Sequence, residues 1–349
     1  MKITILYSEL ADYTIACLRA LKVNGAKIML VHWPINSEAP FQFDLTFVDE
    51  LHSRETLSDE QLLFKVRSFK PDLILSSGWM DKGYVKVCRA LQNEAVTILS
   101  LDNHWTGSLK QQLASLISPI TIKRSFKKAF VPGLVQTKYA LKLGFRAQDI
   151  QTGFYSADTQ KFGRYYKELI DSKQSIPKRF LYLGRYVKHK GIFDMWEAFL
   201  MLKKDYPDWE LWCAGTGDEF QNRVEADGIK HFGFKQPSEL LPILRDTGVY
   251  ILPSHFEPWG VSVQEMAIAG FPLLLSDQIG SKEAYLIEAE NGFEFQSGSV
   301  YSLYQAMVKV ANLSQMHLKD MAQQSHKLGS KNSPEVWASK LLSFLPKHG

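Results

Sequence analysis

Residues 180–199 read FLYLGRYVKHKGIFDMWEAF. The opening residues are aromatic and aliphatic up to Arg185, as in a buried strand. Gly191 closes the polar loop that follows, and Ile192, Met195, Trp196, Phe199 and Leu202 then fall on one stripe at helical spacing. A buried strand, a loop and an amphipathic helix make up most of a β-α-β unit, which a parallel strand completes. The apolar runs 211–214, 249–252 and 272–275 supply such strands.

Toward the N terminus the same rhythm runs through residues 3–7, 13–23 and 28–33, with Asn24 and Gly25 punctuating the last two. It continues through 72–76, 96–101 and 129–131. Strands alternating with helices imply parallel sheets wrapped by helices, and 349 residues exceed what one hydrophobic core usually serves. The expected fold class is therefore α/β, in two domains. The first spans 1–163, a linker falls at 164–178 where charge displaces periodicity, and the second spans 179–334. Residues 335–349 hold one more amphipathic helix, able to pack back on the first domain. No short-period repeat interrupts this plan.

With 41 basic and 37 acidic residues the net charge is +4, so attraction to anions has to be local, and bulk nucleic-acid binding is not indicated. Cys17, Cys88 and Cys213 lie far apart within apolar runs, which suits reduced core thiols and a cytoplasmic protein. Nothing approaches the ~20 apolar residues of a membrane span. There is no Asp-x-Asp and no His/Cys cluster with convincing ligand spacing.

The densest chemical signal is PSHFEPWGVSVQEMAIAGFPLLLS, residues 253–276. A polar loop leads through Gly260 into a short helix whose end at Gly270 suits a left-handed cap. Glu265 lies on that helix among Val263, Met266 and Ile268, where an unpaired carboxylate costs several kcal/mol. Its partner is either a nearby Arg or Lys, or the vicinal hydroxyls of a sugar. The backbone amides of Gly260, Val261 and Ser262 would open the helix and can cradle phosphate, as any loop-to-helix junction can. Arg185 and Lys190 are either solvated charges or two cations converging on one diphosphate, while Lys188 and His189 face solvent.

The stretches LGRYVKHKG, WCAGTGDE, HFGF, ILPSHFEPWGVSVQEMAIAGFPLLLSDQIGSKE and AENGFEF, in this order, resemble the C-terminal domain of family 4 retaining glycosyltransferases. The resemblance covers roughly residues 178–310. It implies the GT-B fold, two Rossmann-like domains facing a central cleft, with the donor held by the second. It places the donor diphosphate on Arg185, Lys190 and the amides of Gly260, Val261 and Ser262. Glu257 then contacts the transferred sugar, Glu265 the ribose, and Phe232, Gly233 and Phe234 border the nucleobase. His104, in ILSLDNHWTGS, takes the place of a histidine near the sugar's reacting face, where it would orient the donor; a hydrogen-bonded loop histidine is the other reading. The first-strand loop YSELADYT lacks the glycines common in the family.

The implied reaction moves a sugar from a nucleotide-diphosphate sugar, as co-substrate, to a hydroxyl of a saccharide or lipid-linked saccharide, with retention and without a metal or other cofactor, and the missing ligand clusters agree with that. Surface polysaccharide or lipopolysaccharide biosynthesis is the implied setting. A GT-B nucleotide-sugar epimerase and a non-catalytic nucleotide-sugar-binding subunit remain alternatives. A nicotinamide dehydrogenase is disfavoured because G-x-G-x-x-G follows neither first strand. Finally, Lys110, Lys123, Arg124, Lys127 and Lys128 interleave with Leu116, Ile117, Ile122, Phe126 and Phe130 without an acidic residue. Such a segment is either ordinary helix and core with solvated cations, or a patch that meets an anionic membrane surface.

Overall fold

Among the described residues every strand pairing is parallel, as expected of strands that reach one another only through helices. The computed structural model describes residues 1–36, 40–172 and 175–346. It divides into two units, Met1–Ala157 with Asn332–Gly349, and Asp158–Lys331.

In the first unit β1 (Lys2–Tyr7), β2 (Lys27–His32), β3 (Glu50–Ser53), β4 (Leu73–Ser77), β5 (Val96–Ser100), β6 (Lys128–Val131) and β7 (Ile150–Thr152) form one sheet in the order β3-β2-β1-β4-β5-β6-β7. Side chains alternate between two cores: Ile28 and Leu30 of β2 join Leu18, Leu21 and Phe130, whereas Met29 and Val31 join Leu62, Val66 and Leu99. In the second unit β8 (Arg179–Leu183), β9 (Glu210–Ala214), β10 (Ile229–His231), β11 (Val249–Leu252), β12 (Leu273–Ser276) and β13 (Gly292–Phe295) take the order β10-β9-β8-β11-β12-β13. The predicted stripe Ile192, Met195, Trp196, Phe199 and Leu202 is fully buried on the helix Ile192–Asp205. Each sheet has its first strand between its second and fourth, so the order reverses beside β1 and beside β8. Loops leaving the C-terminal ends of strands at such a reversal diverge and open a crevice.

The boundaries differ from the sequence expectation. Most of the expected linker 164–178 is helical, because the helix Thr159–Ser172 belongs to the second unit. Phe162 and Leu169 are buried, and Tyr166 stacks on His326 with ring centres 3.6 Å apart. The chain returns to the first unit at Asn332, whose side chain donates to the Tyr155 carbonyl at 2.7 Å. The helix Pro334–Leu342 then lies against Asp12–Val23, burying Trp337, Ala338 and Leu341. Strands β3 (ELHS), β7 (IQT), β10 (IKH) and β13 (GFEF) lack the continuous apolar runs that marked the others. The three cysteines are buried and free.

Candidate functional site

The loops carrying the two motifs leave β8 and β11, the strands that flank the reversal in the second sheet. Past Leu183 the backbone stays extended: Gly184 donates to the Ala214 carbonyl at 3.1 Å and Tyr186 to that of Thr216 at 2.8 Å. Arg185 is thus held at the sheet's edge with its side chain exposed, and the buried Tyr182 hydroxyl donates to the Arg185 carbonyl at 2.7 Å.

Gly191 brings Lys190 inward. Its φ is +67°, and a Cβ there would lie 2.1 Å from the Pro253 carbonyl oxygen, so only glycine lets the β8 loop sit on the β11 loop. The His255 N–H donates to the His189 carbonyl at 2.8 Å, and His255 Nε2 meets Asp194 Oδ2 at 2.6 Å. In the loops so joined Lys190 Nζ pairs with Glu257 Oε2, both side chains largely buried. Partial burial, then the charges of Lys190 and Arg185, lowers the His189 pKa. The exposure expected of Lys188 and His189 is found.

The Glu257 loop is also tied to the loop after β12. Glu257 donates to the Gln278 carbonyl at 3.2 Å, Gly280 to that of Glu257 at 3.0 Å, and Ser281 to that of Trp259 at 3.0 Å. Gly260, at φ +86°, turns the chain into the helix Val261–Ile268, whose N-terminus no side chain caps and whose first turn holds no acidic residue. The amides of Val261 and Ser262 and the helix dipole make that end favourable to anions. Beneath it the buried Tyr250 hydroxyl donates to Ser262 Oγ at 2.8 Å. Burial raises the Tyr250 pKa, the Ser262 bond opposes this, and the charges of both Glu257 and Glu265 add to it. Glu265 is half-buried on the helix.

Phe232, Gly233 and Phe234 follow β10, with Phe232 against Trp212 at 5.1 Å between ring centres. Gly233 has φ +67° and open space where a side chain would stand. The second unit thereby gathers two cations, two carboxylates, an anion-favouring helix end and an aromatic loop along one sheet edge. Tyr182 and Tyr250 were missed as supports, since a tyrosine in an apolar strand reads as core; its hydroxyl was the signal.

His104 belongs to the first unit, half-buried beyond β5, with its carbonyl accepting from Gln111 Nε2 at 2.6 Å. The basic segment needs correction. Ile122, Phe126 and Phe130 are core, Lys128 pairs with Asp149 at 2.6 Å, and Lys123 lies 4.0 Å over the Phe145 ring. Arg124 and Lys127 are exposed. Leu116 and Ile117 of the segment are exposed, together with Leu109, Leu113 and Ile120, on and just after the helix Leu109–Ile117, which buries none of its own residues.

These sheets and their order define the fold as GT-B. Over its whole length the chain superposes on a glycosyltransferase from Rickettsia africae ESF-5, covering 100% of both chains at TM-score 0.75 and 15% identity. Anabaena HepE in complex with UDP and glucose matches at TM-score 0.71 and 14% identity, over 98% of this chain and 99% of that one. Residues 167–328, most of the second unit, match the family described as glycosyl transferases group 1. A glycogen synthase of Mycobacterium tuberculosis is 31% identical over 141 residues, 38% of this chain. The matched part is 34% of that relative's length.

Proposed function

We propose that the protein is a retaining glycosyltransferase that moves a sugar from a nucleoside-diphosphate sugar to a hydroxyl of a saccharide or lipid-linked saccharide. The observation that carries the reading is the convergence of Arg185, Lys190, Glu257 and the Val261–Ile268 helix end beside β8 and β11 in a group 1 domain. The HepE complex with UDP and glucose supports the donor class.

In this reading Arg185, Lys190 and the helix amides stabilise the charge that develops on the departing diphosphate. They supply the positive charge themselves, so the proposal needs no divalent metal. The bond from the anomeric carbon to the diphosphate oxygen breaks, a bond to the acceptor oxygen forms on the same face, and the acceptor proton passes to the departing diphosphate. Glu257 holds the sugar's hydroxyls and also fixes Lys190. Glu265 takes the ribose, the 232–234 loop borders the base, and His104 orients the donor sugar.

Work at the cytoplasmic face of a membrane, in surface polysaccharide or lipopolysaccharide assembly, completes the proposal. Its support is the exposed leucine face of Leu109–Ile117 within residues 103–148, a stretch with Lys110, Arg124 and Lys127 and without one acidic residue. Among the described residues no helix is long and apolar enough to cross a membrane.

A thermal-shift panel of nucleotide sugars tests the donor reading. The right donor at a hundred times its Kd adds about 2.7 kcal/mol of stability. No shift with any nucleoside diphosphate or its sugars contradicts the proposal.

A further inference from the structure

The loops that leave β8 and β11 meet inside the site in three ways. Gly191 lies against the Pro253 carbonyl, the His255 N–H donates to the His189 carbonyl, and Lys190 pairs with Glu257. The ion pair differs from the other two because both its partners are assigned to the donor. A phosphate that draws on Lys190, or a sugar that draws on Glu257, competes with the pair, so the pair alone does not keep the loops in register once a donor arrives.

A fourth contact lies just outside. His255 Nε2 meets Asp194 Oδ2 at 2.6 Å. A carboxylate only accepts, so Nε2 carries the proton and donates it. Asp194 stands in the first turn of the helix Ile192–Asp205, whose stripe from Ile192 to Leu202 is buried, so the acceptor is mounted on a rigid element. No side chain caps that helix at Gly191; the carboxylate, favoured there by the helix dipole, reaches across to the neighbouring loop.

Chain length makes the contact a lever. His255 precedes Glu257 by two residues, and Asp194 follows Lys190 by four. At no more than about 3.6 Å of chain per residue, the Cα of Glu257 stays within about 7 Å of that of His255, and Lys190 within about 14 Å of Asp194. Fixing His255 to Asp194 therefore confines both members of the ion pair from their far sides. The tie shares the site's electrostatics as well. Partial burial and then Lys190 and Arg185 lower the His189 pKa, Glu257 opposes them, and His255 adds to the lowering. Both side chains reach solvent, Asp194 at 25% and His255 at 42% exposure, and such a pair contributes little to global stability.

We propose that Asp194 and His255 are positioning residues for the donor diphosphate: their bond holds the β11 loop on the β8 loop while the donor draws Lys190 from Glu257. The inference rests on the donor reading above and adds to it two residues that touch no ligand. Calorimetry with UDP, ADP and GDP tests it on the wild type, Asp194→Ala, Asp194→Asn, His255→Ala, Lys190→Ala and the combination of Asp194→Ala with Lys190→Ala. Asp194→Ala and His255→Ala should each weaken the diphosphate that the wild type binds about fivefold, with melting temperatures unchanged. Asp194→Asn, which keeps an acceptor oxygen for Nε2, should restore most of that loss. In the Lys190→Ala background Asp194→Ala should cost little further, because positioning acts through the lysine. A merely structural tie would instead lower the melting temperature and weaken binding equally in both backgrounds. Wild-type affinity in Asp194→Ala and His255→Ala, or an equal loss with and without Lys190, overturns the proposal; should Asp194→Ala fail to fold, His255→Ala, altered in an exposed loop residue, decides. Failure of the donor reading registers separately, as binding of none of the three diphosphates to the wild type, and takes this proposal with it.

Discussion

The two units repeat one strand order around β1 and β8, yet their sheet edges carry opposite chemistry. The second edge is built on glycines and charge: Gly191 lets two loops touch, Gly260 opens a helix, and Lys190 meets Glu257. The first has no glycine directly after β1 and presents Trp33, Trp79 and Trp105 instead. One topology thus positions a charged edge with an anion-favouring helix end in one case and an aromatic edge in the other, and function resides in the loops.

Ion pairs sharpen the contrast. Lys190–Glu257 lies where the two motif loops meet, whereas Asp149 of the first unit, held by Arg146 and Lys128, ties the start of β6 to the turn before β7. Glu257→Gln should cut transfer on the order of a hundredfold, as loss of a transition-state contact does. It should bind nucleoside diphosphate at least as tightly as the wild type, since it removes a negative charge and releases Lys190. Glu265→Gln should instead weaken binding of the nucleoside diphosphate itself. Steady-state kinetics beside calorimetry separates the two, and equal loss of diphosphate affinity in both folded variants would break the division.

Asp149 should behave in the opposite way. The Arg146 hydrogen bond, working with Lys128 against burial, holds its pKa at about 2, below the ordinary 3.8. A depressed carboxylate stabilises the fold above its unfolded pKa, and that contribution disappears as pH falls from about 4 through about 2. The shift corresponds to about 2 kcal/mol. Asp149→Asn should lose about that much at pH 7 in denaturant titrations, flatten the acid limb between those pH values, and leave nucleotide binding unchanged. An altered nucleotide affinity would show that the pair is not merely structural.

Strands and helices of the second unit were legible because their apolar periods are long: Ile192 to Leu202 spans three turns, and every stripe residue is buried. The helix Thr159–Ser172 was hidden because Phe162, Tyr166 and Leu169 are separated by charges, so a sparse stripe resembled a linker. The meeting of Lys190 with Glu257, 67 positions apart, was beyond sequence spacing, and only the β8–β11 pairing creates it. Lys123 and Lys128 show the converse. In sequence they are two more cations of a basic run, whereas in the fold an aromatic ring and a buried aspartate occupy them.

The central claim is that a donor diphosphate is held beside β8 and β11, and calorimetry of a nucleoside diphosphate that stabilises the wild type tests it on Arg185→Ala and Lys190→Ala. Each substitution removes one charge-assisted contact and should weaken binding by about 1.5 kcal/mol, roughly tenfold, with the melting temperature of the free protein preserved for the exposed Arg185. Wild-type affinity in both folded variants would contradict the account and place the diphosphate elsewhere.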